Sequence, residues 1–321
     1  MDLVFGPVPS RRLGRSLGIN NILGMEGIPG KICTYACVYC QLGRTARMTV
    51  EREITYDPDI VIDAARARVE QAARQDEPID YLTVVPDGEP TLDRHLDRLL
   101  DGLRSLGPRL AVITNSALID DPAVRDALCR ADWVSLKVDA AQEATWRQID
   151  RPHGRLSLSA ILAGAEAFAA AFEGTLVTET MLVADLNDGD ADLEATARTV
   201  AVLDPRIAYL SVPTRPPAEP WVHPPPDKRL SRAYQVFEAT LPHVEYLLGY
   251  EGNAFAATGD AEYDLLSITA VHPMREDAVA TLLEKDGASW SLIDAMIDRE
   301  QLVEIPQGDH RYYLRKIERS R

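Results

Sequence analysis

The segment Lys31-Ile-Cys-Thr-Tyr-Ala-Cys-Val-Tyr-Cys40 sets three cysteines, Cys33, Cys37 and Cys40, in C-x3-C-x2-C spacing. Tyr39 immediately precedes the last of them, and the one other cysteine in the chain is Cys129. Three thiolates on one short loop can hold three irons of a [4Fe–4S] cube and leave the fourth iron without a protein ligand. An open iron is a place to bind and reduce a ligand, so this spacing points to chemistry as well as to structure. A structural zinc ion asks for four closed ligands, usually two Cys/His pairs. The chain offers no second pair, and no histidine lies close in sequence to this loop. A disulfide framework fits poorly with four cysteines in 321 residues. Cys129 falls on the apolar pattern of Val124 and Leu128 and reads as a core residue, not as a fourth ligand.

The length suits one large domain, alone or with a small appendage. An apolar fraction of 46% is ordinary for a globular core. No apolar run approaches the ~20 residues that a membrane-spanning helix needs. The first residues lack a basic stretch followed by an apolar one. These features predict a soluble protein in a reducing, cytoplasmic setting, without a membrane partner. The formal net charge of −16 works against a purely electrostatic grip on nucleic acid. The charge is uneven, however. Residues 1–48 carry six basic side chains against two acidic ones, and the last thirteen residues carry five against two. The cysteine loop and the tail are therefore basic on an acidic body, although ordinary solvated surface charge accounts for them equally well.

Short β-rich runs alternate with amphipathic helical stretches. The runs are Ser16–Ile19, Tyr81–Val85, Leu110–Thr114, Trp133–Val138, Thr175–Val183 and Ile207–Val212. Helical patterns lie near 58–75, 92–106, 121–130, 156–173, 189–203 and 228–241. Such repetition predicts parallel βαβ units. Asp57-Pro58 and Asp121-Pro122 read as helix starts, with Asp as the cap and Pro in the first turn. Six units are too few to close an eight-stranded barrel, so the predicted fold is an open, partial (β/α)6 barrel over residues 1–250. Its site belongs at the C-terminal ends of the strands. The stretch 213–226 is too rich in proline for a helix or a central strand and is expected to run extended across the barrel surface. Beyond Gly249-Tyr-Glu-Gly-Asn253 the character changes. Helices at 275–285 and 289–299 and strands at 302–305 and 311–316 predict a small winged-helix-like α+β module over 251–321. Its second helix carries Asp294, Asp298 and Glu300 with only Arg299 as a cation, which argues against DNA reading. His272 reads as structural.

Polar groups collect at the predicted strand ends. After the second run, Asp87-Gly-Glu-Pro90 offers a glycine that lets the backbone approach a ligand, and the carboxylate of Glu89 beside it. An ordinary turn with a capping Glu is the competing reading. The third run ends in Thr114-Asn115-Ser116, suited to a ligand or to turn formation. On the fourth, alternation puts Ser135, Lys137 and Asp139 on one face and Val134, Leu136 and Val138 on the other. The apolar face should meet helices, so Lys137 and Asp139 point into the barrel. Buried charge is costly unless paired or used, which leaves a ligand or a mutual Lys137–Asp139 pair. Downstream, Arg151, His153 and Glu179 are candidates for substrate contact or acid–base work, though Arg151 and His153 could equally cap a helix end.

The cysteine spacing resembles that of the radical S-adenosylmethionine (SAM) superfamily, and Gly88-Glu-Pro90 resembles its SAM-holding turn, although Asp87 stands where a glycine is frequent. The opening segment Phe5–Asn20, with Cys37–Gln41, Gly88–Leu92, Lys137–Ala140 and Asp150–His153, is similar to a narrower subgroup. That subgroup is related to the wyosine (tRNA-guanosine) synthases, in a short bacterial-type form. The resemblance covers residues 5 to about 250. It implies one [4Fe–4S] cluster held by Cys33, Cys37 and Cys40 (cluster loop 31–42), with SAM as the second cofactor. It implies Glu89 and the Gly88 backbone at the SAM amine, and Tyr39 beside the adenine. Asn115, Ser135, Lys137 and Asp139 are then candidates for the rest of SAM. The implied activity is reductive cleavage of SAM to a 5′-deoxyadenosyl radical that abstracts hydrogen from a substrate. The implied partners are a low-potential electron donor of flavodoxin or ferredoxin type and, as one candidate substrate, tRNA. The chain lacks the cysteines for a second cluster and a flavodoxin segment, both of which occur with wyosine synthesis. A peptide or small-molecule substrate read by the C-terminal module is a second expectation. A zinc- or cluster-sensing winged-helix regulator is a third, of another class.

Overall fold

Asp57 and Asp121 do cap helices. Asp57 accepts from the Asp59 amide and Asp121 from the Ala123 amide, each with proline in the first turn. The structure, a computed structural model, describes residues 3–22, 30–247, 259–271, 273–307 and 309–316. The cap at Asp57 starts α1 (Pro58–Arg74), which follows a hairpin of β1 (Val4–Ser10) and β2 (Gly14–Ile19) and a small ribbon of β3 (Lys31–Cys33) and β4 (Thr45–Met48). Then come β5 (Tyr81–Val84), α2 (Leu96–Arg104), β6 (Arg109–Thr114), α3 (Pro122–Leu128) and β7 (Trp133–Lys137). After α4 (Glu143–Ile149) and α5 (Leu158–Ala171) follow β8 (Thr175–Met181), α6 (Asp190–Val202), β9 (Ile207–Ser211), α7 (Asp227–Glu238) and β10 (Val244–Leu247).

The main sheet runs β1-β2-β5-β6-β7-β8-β9-β10. Only β1 is antiparallel; from β2 to β10 every pairing is parallel. This is the α/β partial barrel the sequence predicts, with differences at its edges. All six expected strands are present, and β10 adds a seventh parallel strand. It escapes detection because the edge strand Val244–Leu247 buries only its first residue and shows no apolar stripe. The eighth strand, β1, contains Pro7 and Pro9, which only an edge strand tolerates.

Period-two alternation sorts the two faces. Val134 and Leu136 join Leu82, Val112, Leu176 and Leu210 under the helices. Leu13, Ala111, Trp133, Val177 and Tyr209 form a separate cluster on the opposite, inner face. Cys129 is exposed, contrary to the core reading. The α3 stripe of Val124, Ala127 and Leu128 is buried, and a residue one step past Leu128 rotates about 100° off that stripe.

The C-terminal module comprises α8 (Ala261–Val271), β11 (Met274–Arg275), α9 (Glu276–Lys285), α10 (Ser291–Asp298), β12 (Leu302–Gln307) and β13 (His310–Arg315), with sheet order β11-β13-β12. The sequence anticipates α9, α10 and the hairpin but not α8 or the two-residue β11. Strand–helix–helix–hairpin after a leading helix is the winged-helix order. The module's core, including Leu265, Leu282, Ile293, Met296 and Tyr313, takes in Phe5 and Val8 of β1. It thereby covers the edge strand, which would otherwise offer unpaired backbone groups. The expected boundary near 250, the segment Gly249–Asn253, the turn residue Gly308 and His272 lie outside the described residues. Among the described residues no helix is long and apolar enough to cross a membrane.

Candidate active site

The cysteine loop is stitched into the barrel mouth from two sides. On one, Ile32 pairs in parallel with Gly88: its amide donates to the Asp87 carbonyl, and its carbonyl accepts from the Glu89 amide, both at 3.2 Å. A side chain on Gly88 would place its Cβ 1.7 Å from the Ile32 carbonyl oxygen. Glycine is therefore required by the loop's own backbone. Because backbone groups alternate sides, this pairing turns Gly88's own amide and carbonyl away from Ile32. On the other side, the Ala36 amide donates to the Asp150 and Arg151 carbonyls, and the Val38 amide to the Ile149 carbonyl at 2.9 Å.

Cys33 and Cys37 are buried and Cys40 is partly exposed. Lys31, at 3% exposure, lies among them. Burial works against its charge, yet Cys40, Cys33 and Cys37 raise its pKa above the ordinary value. Burial in turn raises the Cys33 and Cys37 thiols, while Lys31 works to lower both. Asn115 Nδ2 donates to Cys33 Sγ at 3.4 Å and to Thr34 Oγ1 at 2.8 Å. Three sulfurs, a compensating cation and an N–H to sulfur form a donor set that fits a thiolate-held iron–sulfur cluster. Among the described residues no three His, Cys, Asp or Glu side chains are arranged around a single ion. A cube does not ask for that, since each of its thiolates takes a different iron.

Glu89 is 1% exposed and already accepts four hydrogen bonds. Oε1 takes the Thr91 amide (3.1 Å), Thr91 Oγ1 (2.6 Å) and Thr114 Oγ1 (2.6 Å); Oε2 takes the Asn115 amide (2.8 Å). Burial raises its pKa, and these donors oppose the rise. Glu89 thus ties the ends of β5 and β6 together, while Oε2 retains a free lone pair.

Asp87 pairs reciprocally with Asn20: Asn20 Nδ2 donates to Asp87 Oδ2 at 2.9 Å, and the Asp87 amide donates to Asn20 Oδ1 at 3.1 Å. Its Oδ1 is buried without a partner, and burial pushes the pKa from 3.8 up to about 6, against the Asn20 hydrogen bond and Arg315. Below pH ~4 the group is protonated folded or unfolded. Between pH ~4 and 6 the unfolded chain ionises while the folded one resists, so stability falls by up to about 3 kcal/mol and then levels. Asp87→Asn should remove that slope, matching the native protein in urea melts at pH 4 and exceeding it by about 1–3 kcal/mol at pH 8. Parallel pH profiles would refute the assignment.

Lys137 lies at the centre of a buried ladder. Its Nζ is 3.3 Å from Asp139 Oδ1 and 3.3 Å from Glu179 Oε1, and 5.0 Å from the Tyr39 ring centroid. Asp139 accepts from the Tyr39 hydroxyl and, at 2.7 Å, from the Met181 amide. The Tyr39 hydroxyl also lies 3.3 Å from Asp150 Oδ1. Burial, then the charge of Asp139 beside it, push the Asp150 carboxyl well above the ordinary carboxylate range. Glu179 accepts from Arg12 through Oε2 and from Ser211 Oγ at 3.1 Å through Oε1. Burial opposes its ionisation, but Lys137 and Arg12 hold its pKa down to about 2. Ser135, buried on the same face two residues before Lys137, stands outside the ladder.

The structure therefore brings Tyr39, Lys137, Asp139 and Glu179 together, and sets Asn115 and Glu89 beside the cysteine loop. Arg151 and His153 stand outside this ladder, beside the cysteine loop. Arg151 Nη1 binds Glu219 Oε1 at 2.6 Å, and Arg44 Nη2 binds Glu219 Oε2 at 3.0 Å. The His153 amide donates to the Thr34 carbonyl, while its Nδ1 accepts from the Arg155 amide at 3.3 Å. The proline-rich linker is a strap over the loop and not a free crossing: the Glu219 amide donates to the Val38 carbonyl at 3.1 Å, and Val222 packs on Val38 and Val183. Sequence reasoning missed Lys31, Asp150, Arg12 and Glu219. Lys31, Arg12 and Asp150 stood within quoted motifs, but a charged residue gives no sequence signal that it will be buried.

A parallel partial barrel with three cysteines at its mouth defines a class, and comparison with known proteins agrees. The family model of the Radical SAM superfamily matches residues 28–200. The UPF0026 protein MJ1312 of Methanocaldococcus jannaschii is 40% identical over 319 residues, 99% of this chain and 97% of that one. The UPF0026 protein slr1464 of Synechocystis is 34% identical over 215 residues, 66% of this chain and 76% of that one. A radical SAM methyltransferase from Sphaerobacter thermophilus shares the fold at a TM-score of 0.53 and 17% identity, over 73% of this chain and 67% of that one. This chain belongs to the radical SAM superfamily, whose enzymes use a [4Fe–4S] cluster and S-adenosylmethionine.

Proposed function

We propose that the protein reductively cleaves SAM at its cysteine loop and abstracts a hydrogen atom from a substrate offered at the barrel mouth. The observation that carries this reading is the direct stitching of the three-cysteine loop to the Gly88–Glu89 turn, which brings the three sulfurs beside the Gly88 backbone and the Glu89 carboxylate. Cys33, Cys37 and Cys40 hold the cluster, with Lys31 balancing its charge. The Gly88 backbone and the free lone pair of Glu89 Oε2 receive the SAM amine. Lys137 takes an anionic group of SAM and the Tyr39 ring lies against the adenine, while Asp139, with no exposed side-chain surface, holds Tyr39 and Lys137 in place. Asn115 and Ser135 complete the cofactor-facing set, and Glu179 orients Lys137. The bound cofactors supply reductive cleavage and, from it, the hydrogen-abstracting group. The protein's own part is to position them and to exclude water. A low-potential donor of flavodoxin or ferredoxin type supplies the electron from outside. The exposed Arg44 and Trp221, on the loop and its strap, offer it a cationic and an aromatic contact.

The opening segment's similarity to wyosine-synthase relatives favours a tRNA nucleoside as substrate. The net charge of −16 favours a second reading, a peptide or small molecule. The test is anaerobic: reconstitute with iron and sulfide, add SAM and dithionite, and quantify 5′-deoxyadenosine with and without bulk tRNA. Product from the native chain, lost to background in Cys37→Ala, is expected, and stimulation by tRNA would select the first substrate. A fully reconstituted protein that neither binds nor cleaves SAM would sink the proposal.

A further inference from the structure

The turn between β1 and β2 enters the barrel at the end opposite the cysteine loop. It precedes Gly14, so it lies at the N-terminal ends of the parallel strands. Leu13 fills the inner cluster with Ala111, Trp133, Val177 and Tyr209. Arg12 passes the Trp133 ring, 6.0 Å from its centroid, and its guanidinium binds Glu179. This contact spans 167 residues of sequence and is mostly enclosed, at 14% and 13% side-chain exposure. Arg12 Nε is buried with no partner, so the side chain's hold is directed at the one carboxylate.

Asp139 and Glu179 flank Lys137, and Arg12 holds Glu179 from its other side. Arg12 occupies Glu179 Oε2, which leaves Oε1 to Lys137 and Ser211. Lys137 stands 3.3 Å from each of its two carboxylates, longer than the ~2.7–2.9 Å of a tight charge-assisted bond. An ammonium has three donors, so a lysine balanced in this way keeps capacity for a third, anionic acceptor. Without Arg12, Glu179 would have a single cation left, and in a low-dielectric interior that attraction would draw Lys137 off Asp139.

We propose that Arg12 is a positioning residue: inserted from the closed end of the barrel, it satisfies Glu179 so that Lys137 stays poised between carboxylates and presents its ammonium to an anionic ligand group at the mouth. The inference rests on the assignment of Lys137 to SAM made above. It gives the Ser10-Arg-Arg-Leu-Gly14 turn a role beyond closing the barrel.

The test measures SAM binding to the reconstituted protein by equilibrium dialysis, with iron content determined alongside. Outer partners of metal ligands typically alter metal affinity or activity by about 10–100-fold, and an effect of the same order is expected for SAM affinity. Arg12→Gln is expected to weaken SAM binding about tenfold or more with iron content unchanged. Arg12→Lys keeps a cation on Glu179 and is expected to hold binding to within about threefold of native. Native binding in Arg12→Gln, or Arg12→Lys as weak as Arg12→Gln, would overturn the proposal and leave Arg12 as a plug. Lys137→Ala separates this from the underlying assignment. If it binds SAM normally, Lys137 is not a SAM residue and both fail; if it loses binding while Arg12→Gln does not, only the role of Arg12 fails.

Discussion

Gly88→Ala is expected to strip the protein of most of its iron while leaving the barrel folded. A Cβ at this position would lie 1.7 Å from the Ile32 carbonyl oxygen and 2.7 Å from the carbonyl carbon. Both atoms are backbone, so no side-chain rotation relieves the clash. The chains must separate, and the two 3.2 Å hydrogen bonds of Ile32 break with them. Overpacking together with two lost hydrogen bonds costs on the order of 3–5 kcal/mol, or more than about a hundredfold in the population of the stitched loop. The penalty falls on the segment that carries Cys33, Cys37 and Cys40, whereas the pairings of the main sheet do not involve Gly88. Iron per chain after reconstitution should fall to about a tenth of native or less, and 5′-deoxyadenosine formation with it. Gly154→Ala is the control, because nothing lies within 4 Å of its added Cβ. Full iron content in Gly88→Ala would show that the loop reaches its cluster geometry without this pairing.

Glu89→Gln should be the second most damaging of the changes considered. The carboxylate accepts from four donors, two of them backbone amides. An amide in its place turns an NH2 group toward at least one of those donors, and a buried donor left unsatisfied costs about 1–3 kcal/mol. Urea melts should register that loss. If Glu89 also holds the SAM amine, removing its charge weakens SAM binding by a further factor, measurable by equilibrium dialysis on the surviving holoprotein. A stability loss with unchanged SAM affinity would make Glu89 a brace between β5 and β6 and remove it from the ligand set.

Gly88 and Glu89 show where local reading stops. The tetrapeptide Asp87–Pro90 is recognisable as a site element, but its sequence suggests a glycine that makes room for a ligand. In the fold the space is taken by Ile32, a residue 56 positions earlier in the chain. Likewise the run Asp150-Arg-Pro-His153 marks a functional neighbourhood, with Arg151 and His153 as its apparent chemical members. The structure pairs Arg151 with Glu219, sets the His153 ring on the Arg155 amide, and buries Asp150 beside Tyr39. Residue type alone cannot separate these outcomes, since a carboxylate or guanidinium looks the same whether it will face solvent or a partner.

Features legible along the chain are those whose cause is local. Cysteine spacing fixes which sulfurs can share one loop, period-two and 3.6-residue patterns fix strands and helices, and Asp-Pro pairs fix helix starts. The class of fold, the cluster of three cysteines on one loop and the inward face of Ser135, Lys137 and Asp139 follow from these. Edge strands β1 and β10 lie beyond such reading, because one face or one end carries too little apolar signal. The ionic ladder lies further beyond it. Arg12, Lys137, Asp139 and Glu179 meet only when the parallel sheet curls and a turn from its N-terminal edge enters from below. Their charges are tolerable inside the barrel because they neutralise one another there, a condition set by three-dimensional closure and by no short stretch of the chain.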